Sequence, residues 1–242
     1  MYIKKILLAI VVIGLFVGGF YVYKVYNAFF IPNTGFNNDE AFIYVPSDAN
    51  FETVKAVLEP LLKDVNAFEA AAQRKGYTSN LKAGKFALKK GMNNNELINT
   101  LRSKNIPVKV AFNNQETLED LAGRVASQIE ADSVSLVLAF NDGDFLKENG
   151  FDNRTKLAMY VPNSYEFFWN TSAEQFRDKM LKEYQRFWND TRIAKAKALK
   201  LTPVEVTTLA SIVHKETAKV DERPRVAGVY LNRLNINMLL QA

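Results

Sequence analysis

The chain contains no cysteine, so a disulfide framework, a thiolate metal site and a cysteine nucleophile are all excluded. Its one histidine, His214, rules out a multi-histidine metal site and leaves a Ser-His-Asp triad only that residue to use. No glycine-rich phosphate loop occurs, and no basic stretch interleaved with aromatics of the kind that grips nucleic acid. No cofactor, metal or nucleic-acid partner is therefore expected. What is present is 242 residues, enough for a membrane anchor plus one or two compact domains. Hydrophobic content of 48% and charged content of 24% are those of a globular protein, and the formal charge is +5. A mildly basic balance suits an anionic partner, and it is also what an ordinary set of solvated lysines gives.

The segment Ile6–Tyr23 runs 18 residues without a charge. At about 1.5 Å per residue it is just long enough to cross a bilayer core of about 30 Å. Lys4 and Lys5 precede it and only Lys24 follows closely, which puts the amino terminus in the cytoplasm. No small-x-small cleavage site follows the apolar run, so an uncleaved anchor over residues 1–26 is expected. The remainder would lie outside the cytoplasmic membrane. Residues 27–40, ending in the turn-rich "PNTGFNNDE", read as a linker.

One pattern then comes three times: a period-two run, a turn and a 3.6-residue period. The strands are expected near Ala41–Val45, Lys85–Leu88 and Val108–Phe112, and each is followed by helical spacing. Such short units cannot bury their faces alone, so residues 41–106 read as one small α+β module. The module resembles a LysM-like fold, of the kind that binds wall glycan. Sugar sites show exposed aromatics, whereas Tyr44, Phe51 and Phe86 all fit core positions here. The competing reading, which the aromatic positions favour, is a purely structural spacer packed on the catalytic part. Residues 107–242 are assigned to a second, mixed α/β domain. Within it the turn Asp142-Gly143-Asp144 lacks the full loop of oxygen ligands that calcium requires and reads as a plain turn. Tyr160, Tyr165, Phe167, Phe168 and Trp169 cluster around Pro162, before a helix capped at Thr171 or Ser172.

A late helix carries the most informative residue. Thr202-Pro203-Val204-Glu205 is a capping box with proline at the first helical position, which marks the helix start. Leu209, Ile212 and Val213 form one face, and Glu216 lies three to seven residues beyond them on that same face. His214 points elsewhere. A carboxylate on an apolar face is either paired or made harder to ionise by desolvation, and the second is what a general acid needs. The competing expectation is that Glu216 reaches water at the helix end, or pairs with Arg225 or Arg233.

"LASIVHKET" (209–217) followed by "DERPRVAGVYLNRL" (221–234) resembles the endolytic murein transglycosylases, the YceG-like family. "LKAGKFALKKGMNNNELINTLRS" (81–103) and "YVPNSYEF" (160–167) are similar to earlier stretches of that family in order and spacing. The resemblance implies a single-pass inner-membrane enzyme with its bulk in the periplasm or cell-wall space. It would cut peptidoglycan glycan strands internally, between N-acetylmuramic acid and N-acetylglucosamine, leaving 1,6-anhydro ends. It implies Glu216 as the catalytic acid/base, with no second carboxylate, metal or cofactor. The family often has another glutamate at the position of His214. Tyr230, Asn232, Arg233 and Gln241 are close enough in sequence to help bind substrate. Peptidoglycan synthases of the same membrane are the implied protein partners. "PNSY" stands where the family has "PDTY", and the family continues past "INMLLQA", so the catalytic domain is expected to be incomplete here. The alternative function is a non-catalytic, membrane-tethered peptidoglycan-binding or scaffold protein.

Overall fold

An apolar run with few branch points for water forms a helix whose only possible backbone partners are its own. In the computed structural model, which describes residues 2–241, helix α1 spans Tyr2–Phe30. It is the one helix among the described residues long and apolar enough to cross a membrane, a test that an anchor and a signal sequence both pass. Its large apolar side chains stand exposed from Ile3 to Leu8 and from Ile10 to Val22. The helix runs on through residues expected to begin the linker. Its last turn is held there because Asn94 Nδ2 donates to the Ala28 carbonyl at 2.7 Å and Phe29 packs against the core that follows.

That core belongs to a β-α-α-β-α arrangement. Strand β1 (Glu40–Val45) pairs antiparallel with β2 (Gly84–Lys89), from Glu40 opposite Lys89 to Val45 opposite Gly84. Helices α2 (Phe51–Leu58) and α3 (Val65–Arg74) lie between them, and α4 (Asn94–Ser103) follows β2. Asn50, Asp64 and Asn93 cap the three helices with side-chain oxygens on backbone N–H groups. Ile43, Val45, Phe86 and Leu88 point inward from the two strands onto Val54, Leu58, Phe68, Leu97, Ile98 and Leu101, all buried. Two expectations change here. Helix α3 intervenes between the first two strand-helix units, so they are not a plain repeat. Tyr44 is not core: inward positions on β1 fall to Ile43 and Val45, which leaves Tyr44 exposed. Phe51 is half-buried with its ring stacked 6.3 Å from Phe68, and only Phe86 is fully buried.

Strands β3 (Pro107–Phe112) and β4 (Asn163–Phe168) form a second two-stranded sheet. β4 was read from sequence as an aromatic approach to a helix. It is a strand, with Phe167 buried and Phe168 exposed. The chain divides into two compact units. The first runs to Val110 and takes in Gln128–Glu130 and Tyr165–Thr171; the second holds Ala111–Ser127, Ala131–Ser164 and everything from Ser172 onward.

The second unit is dominated by helices: α5 (Leu118–Ala126), α6 (Ser133–Phe140), α7 (Gly143–Glu148), α8 (Ala173–Phe187), α9 (Asp190–Ala198), α10 (Pro203–Glu216) and α11 (Arg223–Asn235). Only the ends of β3 and β4 supply strand to it, so the whole chain is mixed α+β but this unit is less mixed than expected. Phe140 joins α6 to α8 through ring contacts with Tyr160 at 4.6 Å and Phe176 at 5.9 Å. The buried Arg177 donates to Asp142 at 2.8 Å and Asp178 at 2.9 Å, with its guanidinium 3.7 Å from the Phe145 ring centre. The acidic turn is thus the cap of α7: Asp142 accepts from the Phe145 N–H.

Candidate active site

The start of α10 follows the capping box. Thr202 Oγ1 accepts from the Glu205 N–H at 3.2 Å, and Glu205 reaches back to the Thr202 N–H at 2.7 Å. Leu209 and Val213 are buried against Tyr230 of α11, with Ile212, Val226, Ala227, Leu231 and Leu240 around them. Glu216 continues that stripe in angle but not in burial. It is exposed, the last residue of the helix, and Thr217 beyond it is already extended. The expectation of a carboxylate on a buried stripe is corrected by this geometry. The apolar cover from α11 stops at Val213, one turn short of Glu216. Among the described residues Glu216 also forms no ion pair, so neither Arg225 nor Arg233 neutralises it.

Its partner is Tyr230. This phenol is only 7% exposed. Burial first, then its hydrogen bond to Glu216 and the charge of that carboxylate, raise the Tyr230 pKa, while Arg233 lowers it. Tyr230 therefore stays protonated beside the carboxylate. Arg233, half-buried, donates to the Leu240 carbonyl, tying the end of the chain to α11. Of the four residues expected near Glu216, Tyr230 touches it and Arg233 lies within electrostatic reach of that pair. Asn232 and Gln241 are exposed, and neither side chain makes a hydrogen bond among the described residues.

Two residues before Glu216, His214 faces an open cleft of about 850 Å³. Asn113, Asn114, Arg124, Asn163 and Ser164 line it with His214. Arg223 Nη2 stands 3.3 Å from His214 Nδ1. A guanidinium can only donate, so Nδ1 accepts and the ring proton sits on Nε2. Next along the helix, Lys215 pairs with Glu116. Amides, a hydroxyl, an imidazole and a guanidinium share the lining with Ala111, Phe112 and Pro162, a mixed surface that suits a ligand carrying both hydroxyls and apolar faces. Asn113-Asn114 and Pro162-Asn163-Ser164 lie about 50 residues apart, and nothing local in the sequence joins them. The signal for joining them was their position, one just after β3 and the other at the start of β4. Strands that pair bring such turns into one place.

The family model described as the YceG-like family matches residues 43–242. An endolytic murein transglycosylase of Streptococcus pneumoniae is 27% identical over an alignment covering 93% of this chain and 46% of that protein. One from Bacillus subtilis is 24% identical over 82% of this chain and 60% of its own length. The chain thus spans about half to three-fifths of the curated relatives it matches. A crystal structure of a YceG-like protein from Listeria monocytogenes superposes with a TM-score of 0.52 at 22% identity, over 85% of this chain and 73% of the other, a likeness of fold.

Proposed function

The chain belongs to the YceG-like family, and from that premise we propose that it is an endolytic murein transglycosylase with Glu216 as its single acid/base. The carrying observation is the pairing of an exposed carboxylate with a buried, protonated phenol, Glu216 with Tyr230. The relatives named as such enzymes support the reaction class. The cleft next to His214 supports a substrate carrying both hydroxyls and apolar faces.

In the proposed step Glu216, as the acid, gives its proton to the glycosidic oxygen, which leaves with the N-acetylglucosamine side of the strand. The C1–O bond of N-acetylmuramic acid breaks, and its own 6-hydroxyl oxygen bonds to C1. The hydroxyl proton returns to Glu216. No water is consumed, and one carboxylate serves both halves, where glycoside hydrolases commonly use two. Intramolecular attack supplies the proximity that a bound water would otherwise need. Because Glu216 is exposed in the free protein, the proton donor is completed by substrate. Tyr230 then acts as a positioning residue that holds one carboxylate oxygen.

The apolar α1 supports attachment to a membrane; work on nascent strands at the outer face of the cytoplasmic membrane, beside peptidoglycan synthases, is part of the same proposal. The test of the reaction class is digestion of uncrosslinked glycan strands in water labelled with oxygen-18. The reading predicts 1,6-anhydro ends with no label. Labelled reducing ends would make the protein a hydrolase and overturn it.

A further inference from the structure

Turn-rich sequence after an apolar run ordinarily makes a tether, yet here the chain leaves α1 straight into the first core. Asn94, 1% exposed, works in two directions. Its Nδ2 donates to the Ala28 carbonyl and its Oδ1 accepts from Asn33 Nδ2, both at 2.7 Å. The Ala28 carbonyl needs that partner, because the last four carbonyls of a helix have none within it. Asn33, 5% exposed, also donates to the Asp64 carbonyl and accepts from the Asp64 N–H, both at 2.8 Å. Its backbone is held as well: the Asn33 N–H donates to the Met92 carbonyl and the Lys63 N–H to the Asn33 carbonyl, each at 2.8 Å. Thr34 Oγ1, buried, accepts from the Gly91 N–H at 2.8 Å. Phe29 and Phe36 pack on the same core. All of this lies within the first compact unit. Buried amides paired in this way rigidify what they join, since breaking one bond strands the next group.

The edge of a bilayer would fall on this joint. The charge-free run Ile6–Tyr23 covers about 27 Å as a helix against a hydrocarbon core of about 30 Å, so Lys24 marks one edge of that core. Ala28 lies four residues further, about 6 Å, and the headgroup layer on each side is about 5–8 Å deep. Tyr26, Phe30 and Ile31 remain exposed beside the joint, with the Tyr26 and Phe30 rings 5.5 Å apart. Aromatic side chains at that depth are the ones that settle among headgroups.

We infer that α1 and the β1–α4 module form one rigid body seated on lipid headgroups, with residues 28–34 as its joint and the lipid interface as its partner. A flexible chain over residues 27–40 would let the module roam about 20 Å; the joint gives it one height and one facing over the bilayer. A protein partner at Phe30 and Ile31 fits less well. Two side chains are far too small a surface for a stable protein interface, and they continue the apolar surface of α1. The inference rests on α1 being a membrane helix and is independent of the chemistry at Glu216.

Because the chain has no cysteine, labels go only where one is introduced. The test is double electron–electron resonance on the full chain at one copy per nanodisc, with spin labels on Val22→Cys in α1 and Asn66→Cys on α3. One narrow distance distribution is expected. Phe29→Ser with Asn94→Ala should broaden it at least twofold, while a pair within the module, Asn66→Cys with Lys82→Cys, keeps its distance. A broad distribution in the parent overturns the joint without recourse to any variant. A bimane on Ile31→Cys should lose at least half its emission to lipids carrying a headgroup nitroxide; undiminished emission overturns the seat on the headgroups. A chain that carbonate strips from vesicles overturns the membrane helix and this inference together, and leaves the reaction proposed for Glu216 standing.

Discussion

The module from β1 to α4 and the α10–α11 pair solve the packing problem to different depths. In the module Val54, Leu58, Phe68, Phe86, Leu97 and Ile98 have no exposed surface at all. In the α10–α11 pair the best-buried residues are Val213, Tyr230 and Leu209 at 6, 7 and 9%, and their neighbours are only partly covered. One region is a closed core. The other is a thin seam whose last turn, carrying Glu216, lies open. A residue that must meet a large polymer cannot sit in a closed core, and local stability is commonly low where ligands bind. The contrast therefore separates what keeps the chain folded from what would do chemistry.

The largest effect that would sharpen the contrast is Phe86→Ala. Removing a fully buried ring should cost about 3–5 kcal/mol and collapse the module. Leu209→Ala, at the rim of the seam, should cost about 2 kcal/mol or less and act locally. Urea denaturation with hydrogen exchange would distinguish them; equal, global losses would erase the distinction. Gly84→Ala comes next. Its positive φ and the Asn105 amide leave no room for a methyl, so about 2 kcal/mol or more should be lost, read as a shift in the urea midpoint.

Smaller still is an acid effect in the second unit. The Phe145 backbone N–H, joined by the Arg177 guanidinium, holds Asp142 below the usual carboxylate range. A carboxyl lowered on folding stabilises fully above its ordinary value of about 3.9, and that contribution disappears as pH falls through the lower folded value. The second unit should loosen at acid pH, and Asp142→Asn should remove that part of the pH dependence in a denaturation series. Tyr230→Phe should scarcely move stability yet lower turnover on glycan strands about tenfold with KM little changed, the loss expected for one hydrogen bond to a charged group. A change in KM alone would place Tyr230 in strand binding.

Local rules carried far along this chain. Asn50, Asn93, Ser172 and Thr202 are legible as caps because a short polar side chain before an apolar period has few other uses. The strand near Lys85–Leu88 and the break between α6 and α7 are legible for the same reason. What failed was everything that depends on which surface is covered. The 3.6-residue period placed Glu216 on the apolar stripe, and angle alone does not say where the covering helix ends. Period two placed Tyr44 on a strand without saying which side of it was inside. The cleft lining was unread because β4 was, and pairing between strands over 50 residues apart leaves no local trace. Asp221 looks like a cap for α11, but the helix begins at Arg223 after Glu222, which makes no capping bond with its side chain.

The most direct measurement is product analysis by mass spectrometry on uncrosslinked glycan strands, comparing the full chain in detergent micelles with its Glu216→Gln form at matched urea midpoints. The account predicts 1,6-anhydro-muramic ends from the unsubstituted chain and none from the variant, with stability unchanged because Glu216 lies outside both cores. Anhydro ends from both would contradict it and move the acid to another residue.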